Sequence, residues 1–179
     1  LVIGAETLSK YINWEDRNTC VLFGDGAGAA VLGQVEDGYG ILSFDLGSDG
    51  SGGDAIQIPS SGSLMPVSKE SIDQRLNLIH MNGKEVFKFA VKAMGRTVKN
   101  SLEKIGMPQE KIDWLVPHQA NIRIIESAAK RLSMPMDKVI VNIQKYGNMS
   151  AACIPIALAE ASAAKRFKKG DIIALSGFG

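Results

Sequence analysis

Two side chains of this 179-residue sequence could act together on one oxygen atom. His118 stands in Pro117-His118-Gln119-Ala120-Asn121, and Asn148 in Gln144-Lys145-Tyr146-Gly147-Asn148. A neutral imidazole and a carboxamide each offer an N–H donor, and two donors converging on a carbonyl oxygen stabilise the negative charge that develops there. Each residue alone has an ordinary explanation. His118 could cap the helix expected from residue 119, and Asn148 could serve the turn after Gly147. Together, in loops at the ends of apolar runs, they suggest a shared crevice with a third loop, Gly177-Phe178-Gly179.

The crevice reading depends on the elements that carry these loops. Asp113–Val116, Val139–Val141 and 172–176 read as short, nearly all-apolar strands, as expected when both sheet faces are covered. Pro117 restricts Val116 to an extended conformation and ends the first strand, holding His118 at the mouth of the site. Helices are expected over Gln119–Leu132 and from Ser150 to about Phe167. A longer helix starts at Asn82, with Glu85 completing a capping-box pattern. Val86, Ala90, Met94, Val98 and Leu102 form its apolar stripe, and Gly106 and Pro108 end it. Upstream, Leu1–Ala5, Thr19–Phe23, Ala29–Val35 and Tyr39–Leu46 read as strands, with a glycine turn over Gly24–Gly28. Residues 47–75 read as a long loop or short hairpins. Strands alternating with helices imply parallel βαβ units in an α/β fold. Such sheets place their sites just beyond the strands' carboxyl ends, where all three loops fall.

Composition narrows the classes. Lys and Arg total 20 against 19 Asp and Glu, so no basic excess points to nucleic acid. No apolar run reaches the roughly 18 residues that cross a bilayer. No metal-ligand spacing is credible, and the Gly24–Gly28 glycines lack dinucleotide-binding spacing. Cys20 and Cys153 are too sparse for a disulfide scaffold, which suggests a reducing, cytoplasmic setting. Leu1-Val2-Ile3-Gly4-Ala5 reads as the middle of a buried strand and Gly177-Phe178-Gly179 as a loop cut short, so the expectation is a piece of a larger fold.

Val116-Pro117-His118-Gln119-Ala120-Asn121-Ile122-Arg123-Ile124 resembles the histidine motif of the beta-ketoacyl carrier-protein synthase III family. Tyr146-Gly147-Asn148-Met149-Ser150-Ala151-Ala152 resembles its asparagine motif, at the family's spacing from the histidine. Phe23–Ala30 is similar to its glycine-rich turn, and Met81–Phe87 to the opening of its long helix. The likeness runs along nearly the whole chain. Met149 departs from it, standing where the family usually has threonine.

The resemblance implies the thiolase fold: two similar α/β halves in a five-layered αβαβα arrangement, usually as a homodimer. Residues 1–36 would be the last strands of the N-terminal half, and 37–179 the C-terminal half up to the final glycine loop. It implies decarboxylative condensation of a short acyl-coenzyme A primer with malonyl-acyl-carrier protein, initiating fatty acid biosynthesis. The coenzyme A thioester would be a substrate, with no resident cofactor or metal. The family's nucleophilic cysteine would lie upstream of Leu1, so these residues alone should be inactive. Cys20 reads as a packing thiol. Cys153, where the family commonly has serine, sits in a helix's first turn, which would lower its pKa, yet it too reads as structural. His118 and Asn148 would be catalytic. Among substrate-binding residues, Gly83 and Phe87 would lie along the tunnel, although Phe87 also fits core packing. Phe178 would lie close to the malonyl site, Asn121 would position the pantetheine arm or a water near His118, and Gly179 or its successor would donate a backbone N–H to the acyl oxygen. Arg17 would stack on coenzyme A, and Arg123 would meet the acyl-carrier protein; each could also be a plain surface arginine. A related enzyme making a polyketide- or quinolone-type metabolite, or a non-catalytic thioester-binding relative, would carry the same motifs.

Overall fold

The computed structural model describes residues 1–179. Its centre is a parallel pair of strands, β5 (Trp114–Pro117) and β6 (Ile173–Ser176), in register from Trp114↔Ile173 to Pro117↔Ser176. Side chains alternate across β5 as the pleat requires. Leu115 turns to one face, with Val98 and Leu102 of α2 (Gly83–Lys104) and Ile125 and Ala129 of α3 (Ile122–Arg131). Val116 turns to the other, with Ala157 and Ala161 of α5 (Cys153–Ala163). Leu115 is fully buried, so Leu115→Ala should cost about 2–5 kcal/mol.

The expected strand over Val139–Val141 is reduced to one parallel bridge, Leu115↔Val139, with the Ile140 N–H donating to the Leu115 carbonyl at 2.9 Å. The segment still lies beside β5, but too few residues pair to form a ladder.

Helix α2 follows its sequence signals. The Asn82 side chain accepts the Glu85 N–H at 3.3 Å, giving half of the expected box, and the chain leaves the helix through Gly106 at φ 61°. Ala90, Met94, Val98 and Leu102 are its buried stripe. Helix α5 is shorter than expected. It follows a 3-10 turn over Ser150–Ala152 and ends before Lys165, whose φ of 54° stops the helix.

The N-terminal region departs most from expectation. Val2–Thr7 forms β1, which pairs antiparallel with β2 (Asp25–Ala30), so the expected glycine turn is itself a strand. Its small residues are needed because the start of α5 lies against it. A Cβ on Gly28 would come within 2.9 Å of Pro155 at the start of α5, one on Gly26 would strike the Met149 sulfur just before it, and on β1 one on Gly4 would strike the Ala151 carbonyl oxygen. Thr19–Phe23 is not a strand. The Asp16 carbonyl accepts the N–H groups of Thr19 and Cys20 at 3.1 and 2.9 Å, and the Asp16 carboxylate accepts from the Asn18 N–H and the Thr19 hydroxyl. These local bonds outcompete the β-propensity of a five-residue run. Tyr39–Leu46 has no ladder partner, and Ile41, Phe44 and Leu46 stay exposed. Within 47–75 lie a 3-10 turn at Gly50–Ala55, the two-residue strand β3 (Ile56–Gln57), which pairs with β4 (His80–Met81), and α1 (Lys69–Asp73). No helix is long and apolar enough to cross a membrane.

Candidate functional site

His118 directly follows β5. Pro117 has no N–H, and pairing resumes one residue later, where the His118 N–H donates to the Ser176 carbonyl at 2.7 Å. This bond fixes the His118 backbone against the end of β6. His118 is 8% exposed, deeper than the expected position at the mouth. Its ring meets Phe178 edge-on, centroids 5.2 Å apart and planes 79° apart. Burial pushes its pKa down to about 4, because desolvation disfavours the charged ring, so near neutral pH it is uncharged and one ring nitrogen carries a proton. His118 caps no helix; Asn121 does, its side-chain oxygen accepting the Arg123 N–H at 2.9 Å.

Asn148 is held by backbone on both sides. Its N–H donates to the Leu22 carbonyl at 2.8 Å, and its carbonyl accepts the Gly24 N–H at 2.9 Å, forming a parallel bridge with Phe23. The bend before it is Gly147, at φ 70°, where a Cβ would come within 2.9 Å of the Leu22 carbonyl oxygen. The bend after it is Ser150, a non-glycine residue at φ 47° whose N–H donates to Asn148 Oδ1 at 2.9 Å. With Oδ1 taken, Nδ2 is the carboxamide's uncommitted donor.

His118 and Asn148 line one cavity of about 620 Å³, along with Phe178 and Gly179 from the loop after β6. Asn121, Gly83 and Phe87 line it too, so seven of the nine residues expected to form the site share it. Arg17 and Arg123 do not; both are exposed outside it. The side-chain oxygen of Asn121 is spent on its cap, which leaves its nitrogen to offer a ligand. Phe87 is 39% exposed, which favours a lining role over the core role that its place in the sequence also allowed.

The sequence reading missed Lys88, Lys92 and Arg96, which line the cavity from one side of α2. The signal was a cation every fourth residue, off the apolar stripe. Gln119 was also missed, because a buried carboxamide resembles any polar loop residue in sequence.

Neither cysteine lines the cavity that holds His118 and Asn148. Cys20 is half-buried in the Asp16 turn. Cys153 is fully buried, and desolvation raises its pKa, contrary to the lowering expected at a helix start. The Met149 N–H points at its sulfur at 3.2 Å but does not outweigh the burial.

The models of known families match both ends of the chain. One for the C-terminal part of 3-oxoacyl-[acyl-carrier-protein] synthase III matches residues 102–179, and one for 3-oxoacyl-[acyl-carrier-protein] synthase III matches residues 1–50. A beta-ketoacyl-[acyl-carrier-protein] synthase III of Caldanaerobacter subterraneus is 60% identical over 179 residues, all of this chain and 54% of the relative. One of Desulfitobacterium hafniense is 56% identical over the same shares. The solved structure of the Thermus thermophilus synthase III superposes with a TM-score of 0.87 at 47% identity, over 99% of this chain and 54% of that one. The fold is therefore part of the thiolase fold. The chain belongs to the 3-oxoacyl-[acyl-carrier-protein] synthase III family and spans about half the length of the curated relatives it matches.

Proposed function

We propose that these residues supply the decarboxylation and condensation site of a beta-ketoacyl-[acyl-carrier-protein] synthase III. The observation that carries this reading is that His118, uncharged, and Asn148, with its oxygen taken by Ser150, line the same cavity. In the reaction, a malonyl thioester binds with its carbonyl oxygen toward the His118 N–H and the Asn148 Nδ2. The bond from the malonyl α-carbon to its carboxylate breaks and carbon dioxide leaves. The electron pair moves onto the thioester oxygen as an enolate, where the two donors stabilise it. The α-carbon then attacks an acyl group carried as a thioester on the enzyme, forming the new carbon–carbon bond and expelling the thiolate.

That thiolate belongs to a cysteine in the part of the family's length that this chain does not match, since Cys20 and Cys153 are both unsuited. The acyl group comes from a short acyl-coenzyme A, so coenzyme A enters as substrate and no resident cofactor is required. Arg17 is the proposed contact for coenzyme A and Arg123 for the acyl-carrier protein; both are exposed, as docking residues must be. Asn121, Gly83, Phe87, Phe178 and Gly179 line the path of the substrate arm. Residues 1–36 would belong to the N-terminal half of the fold and 37–179 to the C-terminal half. A homodimer acting in the cytoplasm in fatty acid biosynthesis completes the proposal. The exposed apolar side chains of Ile3, Val31, Ile41 and Leu46 support further protein covering them, from a longer polypeptide or a second copy.

The test is an assay of the full-length protein with acetyl-coenzyme A and malonyl-acyl-carrier protein, following release of carbon dioxide and formation of the beta-ketoacyl product. His118→Ala and Asn148→Ala should each abolish most carbon dioxide release while leaving acyl transfer to the enzyme. Retention of decarboxylation in both variants would remove the reading.

A further inference from the structure

We infer that Gln119 is a positioning residue that locks the His118 loop and the Asn148 loop into one register. Its side chain, next in sequence to His118, is fully buried. Its Nε2 donates to the carbonyls of Pro117 at 2.8 Å and Ile140 at 3.1 Å. Its Oε1 accepts the N–H groups of Asn142 at 3.0 Å and Ile143 at 3.2 Å. All four hydrogen-bonding positions of one carboxamide are therefore used, each on backbone, and they join the two chain segments that carry the proposed donors.

The second segment passes the constraint onward. Asn142 and Ile143 open the short helix α4 (Ile143–Tyr146), which runs through Gly147 to Asn148. A parallel tie runs through Glu160 on α5, which accepts from Asn142 Nδ2 at 2.9 Å, the Tyr146 hydroxyl at 2.6 Å and Lys145 Nζ at 3.1 Å. The Cys153 sulfur lies 3.9 Å from both the Gln119 carbonyl oxygen and Asn148 Oδ1, filling the space between the loops.

Gln119 matters because the imidazole has no protein hydrogen bond of its own. Its ring is set by its backbone and by the edge contact with Phe178. Asn148 is fixed by its neighbours, but only relative to Leu22–Gly24 and Ser150. The pair can share one oxygen atom only if the two loops keep a fixed separation, and Gln119 bonds directly to both. A displacement of about 1 Å between two such donors costs on the order of 100-fold in rate.

The inference rests on the proposed roles of His118 and Asn148, and its test separates the two. In the full-length protein, Gln119→Glu replaces two donors with acceptors facing the Pro117 and Ile140 carbonyls at nearly unchanged volume. Gln119→Met removes all four bonds and can fail to fold, so Gln119→Glu is the variant that decides. The expected result is a fall in kcat for decarboxylation of malonyl-acyl-carrier protein of about 100-fold. KM for the malonyl thioester and the rate of acyl transfer from acetyl-coenzyme A should stay within about threefold of wild type. An equal loss in both half-reactions, or no loss in either, overturns the positioning role while the proposed function stands. A wild-type protein that releases no carbon dioxide overturns the proposed function and this inference with it.

Discussion

The imidazole of His118 lies edge-on to the ring of Phe178, with centroids 5.2 Å apart, and it is this kind of apolar enclosure that keeps the histidine uncharged. Phe178 also meets Phe89 of α2 edge-on at 6.4 Å, so its ring is held from the helix side as well. The aromatic wall meets the imidazole edge-on, and burial holds the proposed donor uncharged.

His118 gives stability a pH dependence of definite sign. Its folded pKa is about 4 and its ordinary value 6.5. Between those values the unfolded chain binds a proton that the folded chain does not, so stability falls as pH drops from 6.5 toward 4 and the loss levels off below that. The full span is worth at most about 3–4 kcal/mol. Chemical denaturation of the full-length protein at pH 7 and pH 5, compared with a His118→Asn variant, should show a loss on acidification that the variant lacks. The acid limb of decarboxylation should likewise lie below about pH 5. A limb near pH 6.5 would contradict the burial argument.

Asn148→Asp separates orientation from donation. The aspartate can still accept the Ser150 N–H, so the local bend should persist. In place of Nδ2 it presents an oxygen to the developing enolate. Losing one such donor costs about 100- to 1,000-fold, and the added charge opposes the reaction further. Carbon dioxide release should fall by at least about 100-fold, with melting temperature close to wild type.

The parts of the fold legible in the sequence were those with strong local signals. Asn82, Glu85, Gly106 and a four-residue apolar repeat marked α2 closely, and the apolar runs around Leu115 and Ala174 marked the two parallel strands, although Leu175 of β6 is exposed. The elements misread were those decided by distant partners. Thr19–Phe23 and Tyr39–Leu46 have strand-like composition, but a strand also needs a neighbour, and here neither pairs in a ladder. Gly24–Gly28 looked like a turn because glycine usually marks one; its small size instead admits α5 against β2. The cavity pair was visible as residue types in loops that follow apolar runs, although only His118 directly follows a strand. The burial of His118 and the bonds of Gln119 depend on what surrounds them in three dimensions, which no local pattern reports.

Gly4→Ala tests the close approach that sets the Asn148 loop from behind. The new methyl group would collide with the Ala151 carbonyl oxygen, a backbone atom that cannot move without shifting the 3-10 turn at Ser150–Ala152. The expected loss of stability is about 2–3 kcal/mol, measured by urea denaturation of the full-length protein. Because Ser150 donates to Asn148 Oδ1, decarboxylation should fall along with stability. A variant of wild-type stability would mean that the strand and the turn lie farther apart than described.

Cys153 should behave as a packing residue in chemical terms. Burial raises its thiol pKa, so little thiolate exists near neutral pH to attack a reagent. Thiol-directed alkylation of the native full-length protein should leave Cys153 unmodified while the catalytic nucleophile reacts. Cys153→Ala should cost about 1 kcal/mol through the small cavity left beneath Asn148, and the acyl-enzyme should still form from acetyl-coenzyme A. Loss of the acyl-enzyme in that variant, seen by intact-mass measurement, would reassign the nucleophile to this chain. The path is closed on the structural side as well, because the sulfur lies 3.9 Å from both Asn148 Oδ1 and the Gln119 carbonyl, between the two loops that it would have to part to reach a thioester.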